Sequence, residues 1–127
     1  MTTIVVGYVT KPEGEAALHK AIEEARLRDA RVVLVSATRG DDTVEGLEPA
    51  RELLAAAGVP HEVRVTTGAF DPAEDLLAVA EELDADLIVI GLRRRTPVGK
   101  LLLGSNAQRI LLDARTPVLA VKVPAVG

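Results

Sequence analysis

Cysteine and tryptophan are absent from this sequence of 127 residues, and the aromatic residues are limited to one tyrosine and one phenylalanine, Tyr8 and Phe70. Without cysteine the chain has no disulfide, no thiol nucleophile and no cysteine-ligated zinc. Two rings are too few to form the stacking platform on which proteins bind single-stranded nucleic acid. The apolar residues are mostly Ala, Val, Leu and Ile, and an aliphatic core of this kind favours close packing of helices on a sheet.

Histidine is scarce, and positive charge is not in excess. His19 and His61 are far apart and lie in different predicted elements, so we expect them to be structural and to form no metal site. The 15 basic and 19 acidic residues give a net charge of -4. A field of that sign disfavours nonspecific binding to nucleic acid, so we expect no nucleic-acid partner.

Long apolar runs are also missing. No run approaches the roughly 20 residues that a helix needs to span a bilayer. The first residues, MTTIVVGYVTKPEGE, lack the basic segment that opens a signal peptide. We therefore expect a cytoplasmic protein with no membrane partner, and the length of the chain fits one domain over residues 1–127.

Two hydrophobic periods alternate along the chain. Short runs rich in β-branched residues are separated by segments with apolar residues at helical spacing, such as Leu18, Ile22 and Ala25. This pattern predicts alternating strands and helices. The predicted strands cover residues 3–9, 31–37, 61–67, 86–91 and 117–123.

Residues with capping chemistry stand at the predicted helix ends. Asp71 is followed by proline and, three positions later, by glutamate, which is a signature of a helix start. Thr10 and Ser105 have the same spacing to a Glu or Gln, and we predict that they cap the first and last helices. Gly58 predicts the end of the second helix.

The composition of the strands predicts their order. The first and fourth are almost continuously apolar, as expected of central parallel strands that are covered on both faces. The third alternates with polar residues and suits an edge. Right-handed crossovers then give a doubly wound, five-stranded parallel sheet of order 3-2-1-4-5 with helices on both faces. A ligand should bind at the carboxyl ends of strands 1 and 4, where the winding reverses.

The segment after the fourth strand has the features of an anion cradle. Gly91 is followed by a loop, residues 92–103, and Gly104, Ser105 and Asn106 then open the last helix. Glycine allows backbone amides to approach an anion, and the first N–H groups of a helix favour negative charge. The alternative interpretation is that Ser105 only caps its helix.

The other polar motifs are weaker indications of a binding site. The arginines at residues 93–95 could bind phosphate or lie in a solvated loop. Gly99-Lys100 is no P-loop, because Leu101 stands where Ser or Thr must bind magnesium. Asp41 and Asp42 are expected to be solvated turn residues. Tyr8 could line the ligand pocket or simply pack.

The stretch GLRRRTPVGKLLLGSNAQRILLDARTPVLAVK, residues 91–122, resembles the C-terminal signature of the universal stress protein family. The family's nucleotide motif is a glycine, two residues, a second glycine, nine residues, and then Gly-Ser or Gly-Thr. Here Gly91 is the first glycine, and residues 95–103 precede Gly104-Ser105. The resemblance extends over essentially the whole chain, from IVVGYVT to the last strand.

Two positions depart from the family pattern. Arg94 replaces the second motif glycine, and Val9 stands where the family usually has an Asp that contacts adenine. Members that bind ATP keep both features. We therefore expect weaker binding of adenine nucleotides here than in members that have the acid.

The resemblance implies a regulatory module that binds an adenine nucleotide (ATP, ADP or AMP) at the ends of strands 1 and 4, with Mg2+ only as a companion of the nucleotide. The alternative is a dimeric, stress-related interaction protein that has lost nucleotide binding. Because no set of acid, base and nucleophile is visible, we expect no enzymatic activity. The predicted nucleotide-binding residues are Val9, Val35, Gly91, Arg94, Gly104, Ser105 and Asn106.

The last strand predicts an oligomer. Between Val118 and Val123 the sequence is strongly apolar, and in the predicted order this strand is a sheet edge, which invites pairing with a second copy. The resemblance implies the same homodimer. A regulatory protein partner is also expected, but the sequence does not identify it.

Overall fold

The computed structural model describes residues 1–37, 44–66, 71–92 and 104–123. Within these ranges strands and helices alternate as predicted. The strands are β1 (Thr3–Gly7), β2 (Arg31–Ala37), β3 (His61–Thr66), β4 (Leu87–Leu92) and β5 (Val118–Lys122). The helices are α1 (Pro12–Arg28), α2 (Glu48–Ala57, after a 3-10 turn at Val44–Leu47), α3 (Pro72–Glu82) and α4 (Ser105–Asp113).

The strands form one sheet in the order β3-β2-β1-β4-β5, which confirms the predicted topology. Every neighbouring pair is parallel. The register places Val5 of β1 beside Val33 of β2 and Ile88 of β4. All three side chains are at most 1% exposed, as the continuous apolar runs of central strands require.

Alternate residues of the strands serve two separate cores. Ile4 and Val6 belong to a cluster that includes Leu18 of α1 and Leu54 of α2. The opposite face, with Val5, belongs to a cluster of residues from α3 and α4. The helices therefore cover both faces of the sheet, with α1 and α2 on one side and α3 and α4 on the other.

Two of the predicted helix caps are confirmed and two are wrong. The side chain of Asp71 accepts a hydrogen bond of 2.9 Å from the Ala73 amide, and Gly58 ends α2 in the left-handed conformation at φ 72°. Thr10 does not cap α1, because the helix begins later, at Pro12, with Lys11 at the N-cap. Proline has no N–H to leave unpaired and fits the first helical position.

Ser105 does not cap α4 either, because it is the first helical residue and Gly104 is the N-cap. The carbonyl of Gly104 accepts the amide of Gln108 at 3.0 Å, which is the first hydrogen bond of the helix. The capping role that the sequence allowed for Ser105 is therefore excluded, and its hydroxyl is not used in a cap hydrogen bond.

Several predicted features lie outside the described residues: Asp41 and Asp42, Phe70, the arginines at 93–95 and Lys100. Of the two histidines, His19 is exposed on α1 and His61 starts β3. No helix within the described ranges is long and apolar enough to cross a membrane.

Candidate functional site

The carboxyl ends of β1 and β4 open onto a cleft of about 320 Å³. This is the point where the winding of the sheet reverses, which is the usual ligand position in folds of this class. The cleft is also lined by the chain that follows β1, by the ends of β2 and β3, and by the first turns of α1, α3 and α4.

The predicted site residues meet at this cleft. Six of the seven predicted residues line it: Val9, Val35, Gly91, Gly104, Ser105 and Asn106. The seventh, Arg94, lies outside the described residues. The six come from four separate parts of the chain, and the parallel sheet brings them together because its strands all end on the same side. Tyr8 lines the cleft as well and is only 5% exposed, so both of its predicted roles apply.

Gly91 is a glycine for a reason of packing. A Cβ atom at this position would lie 1.9 Å from the carbonyl oxygen of Glu13 and 2.6 Å from its carbonyl carbon. The first turn of α1 therefore presses directly on the end of β4. The sequence suggested that this residue is a glycine so that a phosphate can come close. In the structure, a side chain at this position is excluded because the first turn of α1 packs against it.

Gly14, which follows Glu13 in α1, must also lack a side chain because of close packing. A Cβ atom there would lie 1.8 Å from the carbonyl oxygen of Val9. Gly14 and Gly91 together let the start of α1 sit between the chain after β1 and the end of β4. This contact shapes the wall of the cleft on which Val9 and Glu13 lie.

The starts of α1 and α3 at the cleft are already occupied by negative charge. Helix α1 has Glu13 and Glu15 in its first turn, after Lys11 at its N-cap. Helix α3 is capped by the Asp71 carboxylate and carries Glu74 and Asp75 in its first turn. These carboxylates offset the positive ends of the two helix dipoles, and they would repel an anionic ligand.

The start of α4 is different. Its N-cap is Gly104, its cap has no side-chain hydrogen bond, and its first turn contains no acidic residue. The first N–H groups of a helix have no partner within the helix, and here they belong to Ser105, Asn106 and Ala107, which line the cleft. Of the three helix starts at the cleft, this one is suited to an anion.

Val9 and Val35 contribute apolar side chains to the lining of the cleft. Val9 is 48% exposed and Val35 is 5% exposed. The Val35 carbonyl accepts the Tyr8 amide at 3.0 Å, which continues the β1–β2 pairing by one residue. Burial, and to a lesser degree the charge of Glu15, raises the pKa of the Tyr8 phenol, so this side chain stays neutral at physiological pH.

Sequence reasoning missed the contribution of α3 to the cleft. The cleft is lined by Pro72, Ala73 and Leu76. The sequence does predict the start of this helix at Asp71-Pro72, but its position at the cleft was not predicted. The signal was available, because every helix of a parallel α/β sheet begins at the side where the strands end. Lys11 and Glu13 were missed for the same reason.

A metal site does not emerge from the described part of the chain. No group of three or more His, Asp or Glu residues there could hold a metal ion.

Comparison with known proteins decides the family. The model of the universal stress protein family matches residues 1–122. The chain belongs to this family. A universal stress protein of Mycolicibacterium smegmatis is 47% identical over an alignment 126 positions long, which covers 94% of this chain and 96% of that protein.

Solved structures of other universal stress proteins have the same fold. One from Archaeoglobus fulgidus, in complex with dAMP, is 30% identical with a TM-score of 0.72, and the match covers 96% of this chain and 98% of that one. Another universal stress protein, in complex with cAMP, is 29% identical with a TM-score of 0.78, and the match covers 97% and 98% of the two chains. The ligands in these related structures are adenine nucleotides.

Proposed function

We propose that this universal stress protein family member is a regulatory module that binds an adenine nucleotide in the cleft at the ends of β1 and β4. The base lies beside the apolar side chains of Val9 and Val35. The phosphates lie over Gly104, Ser105 and Asn106. The observation that carries the proposal is the start of α4, because its first turn is free of acid and side-chain caps and faces a cleft between two acidic helix starts.

The related structures support the class of ligand, since two universal stress proteins about 30% identical to this chain are complexes with dAMP and cAMP. We propose AMP, ADP or ATP as the ligand, with Mg2+ present only as a companion of the polyphosphates. Val9 offers no polar side chain to the base, so the affinity is expected to be modest. We propose no catalytic step, and we propose that the protein acts in the cytoplasm.

Thermal unfolding in the presence of ATP, ADP, AMP and cAMP tests this function. A ligand at 100 times its dissociation constant stabilises the native state by about 2.7 kcal/mol, which corresponds to a rise in Tm of roughly 10 °C for a domain of this size. Guanosine and inorganic phosphate serve as controls for the base and the anion. If none of the adenine nucleotides raises the Tm, the proposal is wrong, and the alternative of an interaction protein without nucleotide, which the apolar Val9 favours, takes its place.

We further propose that the protein forms a homodimer through β5. This strand pairs with β4 on one side, and no other described strand covers its outer side. Its residues Val118, Leu119, Ala120 and Val121 are half-buried. Pairing of this edge between two chains around a two-fold axis covers the β5 edge of both copies, so neither β5 is left open to further association.

The hydrogen bonds of β5 identify a substitution that acts on the edge alone. The Ile88 amide donates to Pro117 and the Val123 amide donates to Leu92. In a parallel ladder the bonded amides of a strand alternate, so the amides of Leu119 and Val121 face β4 and that of Ala120 faces outward. Ala120→Pro therefore removes an outer donor and leaves the β4–β5 ladder intact.

The Ala120→Pro variant is expected to sediment as a monomer at roughly 100 μM, a concentration at which the wild type is a dimer if its dissociation constant is micromolar or lower. Its circular dichroism should match that of the wild type. Leu119→Pro is the comparison variant, and it should lose folded structure because it breaks the ladder itself. A wild type that sediments as a monomer at this concentration would refute the dimer.

A further inference from the structure

A cluster of charged side chains joins α3 to α4 beside the cleft. The guanidinium of Arg109, in α4, lies 3.4 Å from a carboxylate oxygen of Asp71 and also pairs with the Glu74 carboxylate. Within α4 it lies 3.6 Å from Asp113. One arginine thus stands among three carboxylates, two of which belong to the start of α3.

This cluster adjoins two of the three helix starts that line the cleft, those of α3 and α4. Asp71 is the N-cap of α3 and directly precedes the first turn that lines the cleft. Arg109 follows Ser105 by one helical turn, which is about 6 Å along the helix axis. The carboxylates of Asp71 and Glu74 are therefore held on the same side of the cleft as the start of α4.

We propose that Arg109 is the residue that makes this end of the cleft able to hold a phosphate, an inference that rests on the proposed function. It acts as a positioning and charge-compensating residue and does not itself contact the ligand. Its guanidinium offsets the negative charge of Asp71 and Glu74, which would otherwise repel the phosphates. By pairing with both residues it also holds the start of α3 against α4.

The solvent exposure of Arg109 and its partners indicates that their ion pairs contribute little to the stability of the fold. The Arg109 side chain is 40% exposed and its three partners are 41–57% exposed. Ion pairs that are exposed to this extent contribute little to folding. Removing the arginine should therefore leave the fold intact, and the effect should appear as a repulsion that grows with the charge of the ligand.

The test is a titration series by calorimetry with adenosine, AMP, ADP and ATP in the absence of Mg2+, on wild type and on Arg109→Gln. Adenosine should bind both proteins equally. The affinity for AMP should fall by roughly threefold in the variant, and each further phosphate should widen the difference, since each adds repulsion over several ångströms of solvent-exposed surface. At about 0.5 M salt the difference should shrink, because the Debye length then falls to about 4 Å.

Matched variants separate charge from local damage. Arg64 is the control, because it also pairs with two carboxylates, Glu62 and Glu82, but it belongs to β3 and its partner Glu82 is the last residue of α3, at the other end of that helix from the cleft. Arg64→Gln should leave all four affinities unchanged. Arg109→Lys keeps the charge and should retain most of the affinity for phosphates. The double variant Arg109→Gln/Glu74→Gln removes one of the freed carboxylates and should restore part of the lost affinity.

The outcomes distinguish the two proposals. If wild type binds the nucleotides and Arg109→Gln weakens adenosine and ATP by the same factor, or weakens neither, the role of Arg109 is overturned while the proposed function stands. If wild type binds none of the four ligands, the proposed function fails and this inference fails with it.

Discussion

The substitution Gly91→Ala is expected to lower the free energy of unfolding by about 3 kcal/mol, the upper end of the usual cost of overpacking. The added methyl group would lie 1.9 Å from the carbonyl oxygen of Glu13, so the backbone of α1 or β4 must move. Gly14→Ala should have a similar cost, because its methyl group meets the Val9 backbone. Alanine is the better helix former, and at Gly14 packing therefore opposes helix propensity.

Urea denaturation of the two variants measures these losses, and Gly46→Ala is the control. Among the described residues, a Cβ atom at Gly46 would meet the Thr10 methyl group at 3.7 Å, which is an ordinary contact. The urea midpoint of Gly46→Ala should therefore stay near that of the wild type. Equal midpoints for Gly91→Ala and Gly46→Ala would contradict the packing account. In that case the glycine at 91 would serve the ligand alone.

The substitution Ser105→Asp is expected to weaken the binding of AMP, ADP and ATP by about 100-fold or more. A carboxylate in the first turn of α4 would occupy the free amides and repel the phosphates at close range. The same carboxylate interacts favourably with the positive end of the helix dipole and should stabilise the protein without ligand by roughly 0.3–1 kcal/mol. Binding and stability are thus predicted to change in opposite directions.

Ser105→Asn is the matched control, because it has nearly the same shape as the aspartate and no charge. It should lose much less affinity than Ser105→Asp. Calorimetric titration with AMP and thermal unfolding without ligand measure the two effects. If both variants bind AMP as the wild type does, the phosphates do not lie at the start of α4.

The topology could be predicted because its signals are local. A strand that is covered on both faces must be apolar at successive positions, and β1 and β4 are. An edge strand can alternate, and β3 does. The start of α3 at Asp71-Pro72 and the end of α2 at Gly58 depend on groups within a few residues of each other, so they were also predictable.

The predicted caps at Thr10 and Ser105 failed because the same spacing of side chains fits two adjacent starting points of a helix. Pro12 decided the start of α1, and the conformation of Gly104 decided the start of α4. In the cleft, the sequence indicated Gly91 and the Gly104-Ser105-Asn106 segment, because a loop between a central strand and a helix is a recurring anion site.

The sequence by itself thus determined the order of the strands, the two cores and the position of the cleft, since these follow from hydrophobic period and connection. Only the tertiary structure decided why residue 91 must be glycine and which charges surround the start of α4. Glu13 lies against Gly91 across 78 positions of sequence, and Arg109 meets Asp71 across 38. No local pattern encodes such pairs, because the sheet creates them when it brings all the strand ends to one side.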